Sequence, residues 1–275
     1  MVKPTVLAIS LATEWLLETP PSRIIYIIEK LQGKPLSHAF VERLKDLDQI
    51  DKAKQIAHEL FGPESPFGSA EVLNTSWGSH LFRYIVEVNP ESMATTIYNS
   101  FGQMSNEDLL TVKEGRRSLV LALEKLCFRK ESFNKAIKVL FKFAIAENEN
   151  IGNNATGQLL HLFHIHLAGT ETSLAIRFEI LKIFLENTDE TSKSLALKCL
   201  SSALSNHRFS RMMGAEQQGS GAPLKDYVPS NDEIKQYWTN SFNLLVSEHN
   251  STHTLKFEIE ETLIASISSM LTIGE

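Results

Sequence analysis

The chain is expected to be all-α, and three observations lead there. Apolar residues recur at helical spacing along nearly its whole length, as in Phe133, Ala136, Ile137, Leu140, Phe141 and Ala144. Helix-opening combinations stand between those runs, such as Asn89-Pro90-Glu91. Glycine (13) and proline (9) are scarce in 275 residues, and an all-β chain needs many more turn residues.

Pro4 can open a first helix to about Glu18, with Val6, Leu7, Leu11, Trp15 and Leu16 along one stripe. Pro20-Pro21 breaks it, and a second helix runs through RIIYIIEKL to Gly33. Pro35 opens a third. A fourth follows Asp48, carries Ile50, Ala53, Ile56, Ala57 and Leu60, and stops at Gly62-Pro63. After the turn-rich GPESPFG, residues 69–87 read as one long helix with Val72, Leu73, Trp77, Leu81 and Ile85 inward. Asn89-Pro90-Glu91 has a physical logic as a helix start: asparagine caps free N–H groups, proline needs no N–H, and glutamate complements the dipole. Ser105 to Asp108 is a second such start, a capping box with Asp in place of Glu. Further helices are expected at about 116–127, 132–147, 154–166, 173–187, 190–205, 231–248 and 252–271.

Short polar connections between helices of this length predict antiparallel helix pairs stacked as an irregular α-solenoid of the HEAT-like kind. A closed helical bundle is the alternative. There is no strict internal repeat. The whole of 1–275 reads as a single helical-repeat domain, a fragment of a larger protein, with 206–230 as an irregular loop insertion.

The net charge of −6 argues against a general nucleic-acid binder. Charge is uneven: residues 111–142 hold nine Lys/Arg against three Asp/Glu, and residues 226–275 hold two against eight. Such asymmetry suits docking to protein surfaces. Cys127 and Cys199 lie within apolar helical patterns and read as buried small hydrophobes in a reducing, cytoplasmic setting. The first residues do not make a secretory leader. No run approaches the ~18 apolar residues of a membrane span.

Motifs for chemistry are missing. There is no G-x-x-x-x-G-K-[ST] loop, no G-x-G-x-x-G, no G-x-S-x-G elbow, no H-E-x-x-H and no Cys-x-x-Cys pair. The one metal-like cluster is His161, His164 and His166. Only the first two share a helix face and no carboxylate lies in the same turn, so a structural role is expected, with no metal and no cofactor. Lys135, Lys138 and Lys142 lie opposite a core stripe, which favours a solvated face. A nucleic-acid or phosphate-binding face is the alternative. Arg116 and Arg117 open a helix, a poor place for cations, so they have acidic partners or face a ligand, and partners within the fold are expected. Trp77 and Trp238 read as core or groove anchors, and Asn154 as a helix cap. In the 206–230 stretch, Arg208, Arg211, Glu216 and Gln217 offer directional contacts to a partner. Met212 and Met213 add adaptable apolar surface, and GSGAP reads as a spacer.

Several strings also carry a resemblance: LNTSWG (Leu73–Gly78), EVNPE (Glu87–Glu91), GRRSLVLALEKL (Gly115–Leu126), AENENIGNNATGQLLHLFH (Ala146–His164), FSRMMGAEQQG (Phe209–Gly219) and Tyr237-Trp238. Together, over most of residues 4–245, they resemble the helical region of large bacterial P-loop ATPases of the signal-transduction (STAND) type, many of them associated with antiphage defence. In such proteins an effector and a nucleotide-binding module precede a helical repeat region, which senses a trigger or restrains the ATPase. The present chain departs from that pattern in lacking the P-loop and the effector. The resemblance therefore implies a non-catalytic recognition or scaffold module, the sensing or regulatory part of a larger ATPase. Its partners would be a protein or that ATPase's other domains, not a membrane.

Overall fold

A computed structural model describes residues 5–205, 221, 223–251 and 255–273. These form fifteen helices and, among the described residues, no strand. The all-α reading is therefore correct. The contacts divide the chain into two compact units, the first running to Val139 and the second beginning at Leu140.

The first unit holds α1 (Thr5–Glu18), α2 (Pro21–Lys30), α3 (Pro35–Lys45), α4 (Asp51–Phe61), α5 (Ala70–Leu73), α6 (Ser76–Ile85), α7 (Pro90–Phe101), α8 (Asn106–Leu110) and α9 (Arg116–Phe128). The division falls within α10 (Phe133–Ile145). Helices α3, α6 and α9 pack in one row, α3 on α6 and α6 on α9. A second row has α1 and α2 against α4, and α4 against α7, which also meets α9. Two rows advancing with the chain are the layering of an α-solenoid. Phe61 sits at the seam, its ring 5.8 Å from Phe67 and 5.9 Å from Phe82, and all three are buried. Trp77 anchors α6, its ring edge-on to Phe67 and its indole N–H donating to Ser37 Oγ at 2.8 Å.

The single helix expected over 69–87 is two helices, α5 and α6. The hydroxyl of Thr75 accepts from the Gly78 N–H at 2.9 Å and donates to Val72 O at 2.7 Å, so one residue ends α5 and caps α6. Asn74 beside it accepts from the N–H groups of Lys113 (3.1 Å) and Gly115 (3.4 Å), stitching the break to the start of α9. Glycine is required at two places here. A β-carbon on Gly78 would lie 2.2 Å from Val72 O, and one on Gly115 would lie 2.2 Å from Leu73 O. The strings LNTSWG and GRRS are thus two halves of one close backbone approach.

The second unit holds α11 (Ala155–His161), α12 (Leu174–Leu185), α13 (Glu190–Leu204), α14 (Asn231–Ser251) and α15 (Lys256–Ile273). Helix α12 packs on α13 and α14, α15 packs on α13 and α14, α13 touches α14, and α11 leans on α13. These four long helices close on one another as a bundle does. Phe184 stacks on Phe141 with centroids 3.8 Å apart, and Phe163 meets it edge-on. Cys127 in the first unit and Cys199 in the second are buried and free, and burial pushes both thiols up.

Helix α11 is shorter than the expected 154–166. It starts as foreseen, with Asn154 Oδ1 accepting from the Gly157 N–H at 2.8 Å, but it stops at His161. The carbonyls beyond that point bond to side chains from α12 and α14 instead. The turn that follows holds two residues at positive φ, Leu167 (54°) and Gly169 (75°).

Candidate functional site

The polar heart of the second unit is Arg177 on α12, whose side chain is fully buried. Its Nη1 donates to Leu162 O at 3.0 Å and to His164 O at 2.6 Å. Burial lowers its pKa, and Tyr237, Asp226 and Tyr227 oppose that shift. Tyr237 on α14 is also buried and donates to Phe163 O at 3.0 Å; burial pushes its hydroxyl up. Three successive carbonyls after α11 are therefore held by two side chains. His164 titrates at about 4, lowered by its own burial, then by His161 and Arg177, so the ring is neutral at neutral pH.

A strap of irregular chain, residues 225–230, reaches this centre just ahead of α14. Asp226 Oδ1 accepts from the N–H groups of Gly169 (2.6 Å) and Thr170 (3.1 Å). The Tyr227 N–H donates to Thr170 O at 2.8 Å. The Tyr227 hydroxyl donates to Glu233 Oε1, which raises the tyrosine pKa and lowers the glutamate's. Glu233 also closes a capping box: its Oε2 accepts from the Ser230 N–H at 2.8 Å, and its own N–H donates to Ser230 Oγ at 3.3 Å.

Beside the strap, α12 and α14 enclose a groove of about 170 Å³. Leu174, Ala175, Phe178 and the ring of Tyr237 line it, with Glu179, Glu233, Gln236 and Asn240 as its polar groups. Glu179 pairs with Lys182 at 2.8 Å, and that ammonium lies 5.9 Å from the centroid of Phe178. Gln236 and Asn240 stand four residues apart on one face of α14. Apolar walls with two neighbouring carboxamides suit an apolar side chain and the peptide backbone that carries it. The Tyr237 hydroxyl proton is committed to Phe163 O within the fold.

Not all of the residues proposed from sequence are described. Arg208, Arg211, Glu216 and Gln217 lie outside the described residues. Lys135 and Lys138 are exposed on α10 and Lys142 is half-buried; the Lys135 ammonium donates to Thr95 Oγ1 at 2.7 Å. Two other cations of that basic run, Arg116 and Lys125, are buried, so the run is not one exposed stripe. Arg116 Nη1 donates to Leu109 O at 3.3 Å, a partner within the fold. His161 and His164 stand with ring centroids 6.3 Å apart, and His166 is exposed. Among the described residues no group of three or more His, Cys, Asp or Glu is placed to hold a metal ion. Trp238 anchors α14, its indole N–H donating to Leu204 O at 3.2 Å.

The groove was not foreseen. Its two walls come from α12 and α14, and no spacing rule joins positions 174–179 to 233–240. One signal was legible, the Ser230 to Glu233 capping box that fixes where α14 begins and so which residues face α12. No family model, curated protein or solved structure matches this chain. Among the described residues no helix is long and apolar enough to cross a membrane.

Proposed function

We propose that the chain is a non-catalytic helical recognition or scaffold module, the sensing or regulatory part of a larger ATPase. The observation that carries the recognition part is the α12–α14 groove, where apolar walls stand beside the amides of Gln236 and Asn240. An extended protein segment places one apolar side chain between Leu174 and Phe178. Its backbone N–H and C=O then pair with the carboxamides. The acidic groups Glu179 and Glu233 favour a segment with a basic residue beside that side chain. The sequence has no phosphate cradle, so ATP chemistry belongs to another part of the assembly.

Two measurements test this reading. Calorimetry of the chain with ATP is expected to give no saturable heat; micromolar binding would overturn the non-catalytic part. The full reading frame is expected to encode a Walker motif, and the chain to associate with the separately expressed nucleotide-binding module. Ala175→Trp, which fills the groove, should weaken that association at least tenfold with the helical circular-dichroism signal unchanged. A reading frame with no nucleotide-binding module would sink the ATPase assignment.

A further inference from the structure

We propose that the strap over Arg177 is displaceable, and that Asp226 occupies a built-in carboxylate site which an acidic segment of a protein partner can take over. This inference stands apart from the α12–α14 groove and does not rest on it.

The receiving side is already formed. Two successive backbone N–H groups, of Gly169 and Thr170, converge on one oxygen of Asp226 at 2.6 and 3.1 Å. Successive amides pointing into one concavity make an anion-binding nest, and this one is shaped by the positive φ of Leu167 (54°) and Gly169 (75°). Leu167 is the one described non-glycine residue with such a φ, so the turn holds a conformation that a side chain resists.

Behind the nest is a charge that calls for an anion. Arg177 is buried, and its two hydrogen-bond acceptors are uncharged carbonyls. Its Nε and Nη2 have no hydrogen-bond partner, nor has the buried Thr172 Oγ1 nearby in sequence. Among the described residues, Asp226 is the one carboxylate whose charge acts on the guanidinium. A buried cation without a counter-charge is strongly unfavourable. The nest therefore cannot simply be vacated: whatever displaces Asp226 must bring a negative group.

Among the described bonds, the strap that supplies Asp226 has one other hydrogen bond to the turn that forms the nest, from the Tyr227 N–H to Thr170 O. Lys225 and Val228 are exposed, Val228 at 83%. Apart from Asp226, the strap's described ties are the Tyr227 N–H to Thr170 O, the Tyr227 hydroxyl to Glu233 and the Ser230–Glu233 capping box at the start of α14, with Pro229 buried. A partner segment with a carboxylate followed by an aromatic residue would reproduce the ties of Asp226 and Tyr227. The strap's own sequence, Asp226-Tyr227, defines that chemistry.

The test supplies the strap in trans. In Asp226→Ala of the whole chain, hydrogen exchange at the Gly169 and Thr170 amides should quicken at least tenfold with the helical circular-dichroism signal intact. The synthetic peptide LKDYVPS, a copy of residues 224–230, should then bind saturably and restore protection at both amides; LKAYVPS should do neither. Unchanged exchange in the variant, no binding of LKDYVPS, or equal binding of both peptides would each overturn the proposal. If Asp226→Ala fails to fold, Asp226→Asn decides. It keeps the Oδ1 acceptor and loses only the charge, so exchange at the two amides should rise several-fold, and an unchanged rate would refute the role of Arg177.

Discussion

The two units cap helix starts alike but close helix ends differently: singly in the first, where Thr96 Oγ1 donates across 35 residues to Phe61 O at the end of α4, and several carbonyls at once in the second. In the first, Ser69, Thr75, Asn89 and Ser105 each stand immediately before a helix and cap it with their own side chain. Every such bond spans three residues of sequence. In the second unit Asn154 and Asp189 cap in the same local way, but the far end of α11 is closed remotely. Arg177 reaches back 15 and 13 residues to Leu162 and His164, and Tyr237 reaches back 74 to Phe163. Local closure is cheap in chain entropy and readable from a string. Remote closure concentrates the stability of several carbonyls in one or two side chains.

That contrast predicts where the chain is most easily broken. Arg177→Ala should have the largest effect, about 3–5 kcal/mol, because it removes a large buried side chain and leaves carbonyls without donors. Denaturant unfolding followed by exchange at second-unit amides measures it. Arg177→Met fills the space and removes the charge, and should recover part of the loss. Equal losses in the two variants would mean that hydrogen bonding to the carbonyls, and not packing, dominates.

The first unit should break by crowding. Gly115→Ala places a β-carbon where only 2.2 Å separates it from Leu73 O, and should cost about 1–3 kcal/mol, typical of forced backbone shifts. Thermal unfolding will show it, with the exchange increase centred on residues 72–78 and 113–119. Asn74→Ala, which removes both bonds to the start of α9, should cost about 1–2 kcal/mol in the same assay. A loss as large as that of Arg177→Ala would erase the distinction between distributed and concentrated closure.

Acid should act through the second unit. The His164 pKa is about 4, below the ordinary value of 6.5, so the unfolded chain binds the extra proton first as pH falls. Stability is fully present above pH 6.5 and declines between 6.5 and about 4. The ring is partly open to solvent, which reduces the expected loss to about 1–2 kcal/mol. His164→Gln should flatten the unfolding midpoint against pH across that window. A slope unchanged by the substitution would assign the dependence to another group. The smallest effect should come from Lys138→Glu, within about 0.5 kcal/mol as for most exposed positions. Salt-sensitive DNA binding that disappears with this change would instead mark the basic side of α10 as functional.

How much could be read from sequence follows the same division. The α7 start at Asn89-Pro90-Glu91, the Asn154 cap and the apolar stripe of α10 were legible because each is settled within one or two turns. The break at Asn74-Thr75 was missed. Val72, Leu73, Trp77 and Leu81 keep helical spacing across it, and a capping threonine inside an apolar pattern gives no periodic signal. The short α11 was missed for a different reason: the groups that stop it come from α12 and α14. The groove and the nest share that origin. Leu174 and Asn240, or Gly169 and Asp226, meet only once the bundle is closed, and no string of residues contains them.

The 74-residue reach of Tyr237 to Phe163 also sets a timetable during synthesis. A ribosome adds about 5–20 residues per second, so Phe163 exists for roughly 4–15 seconds before its donor is made. Arg177 arrives much sooner and takes the carbonyls on either side, Leu162 and His164. The nascent turn thus waits half-tied, with Phe163 O exposed to water or to other nascent donors, until α14 emerges. Slowing translation between α13 and α14 should lengthen that interval, and with it the opportunity for mispairing, without altering the finished protein.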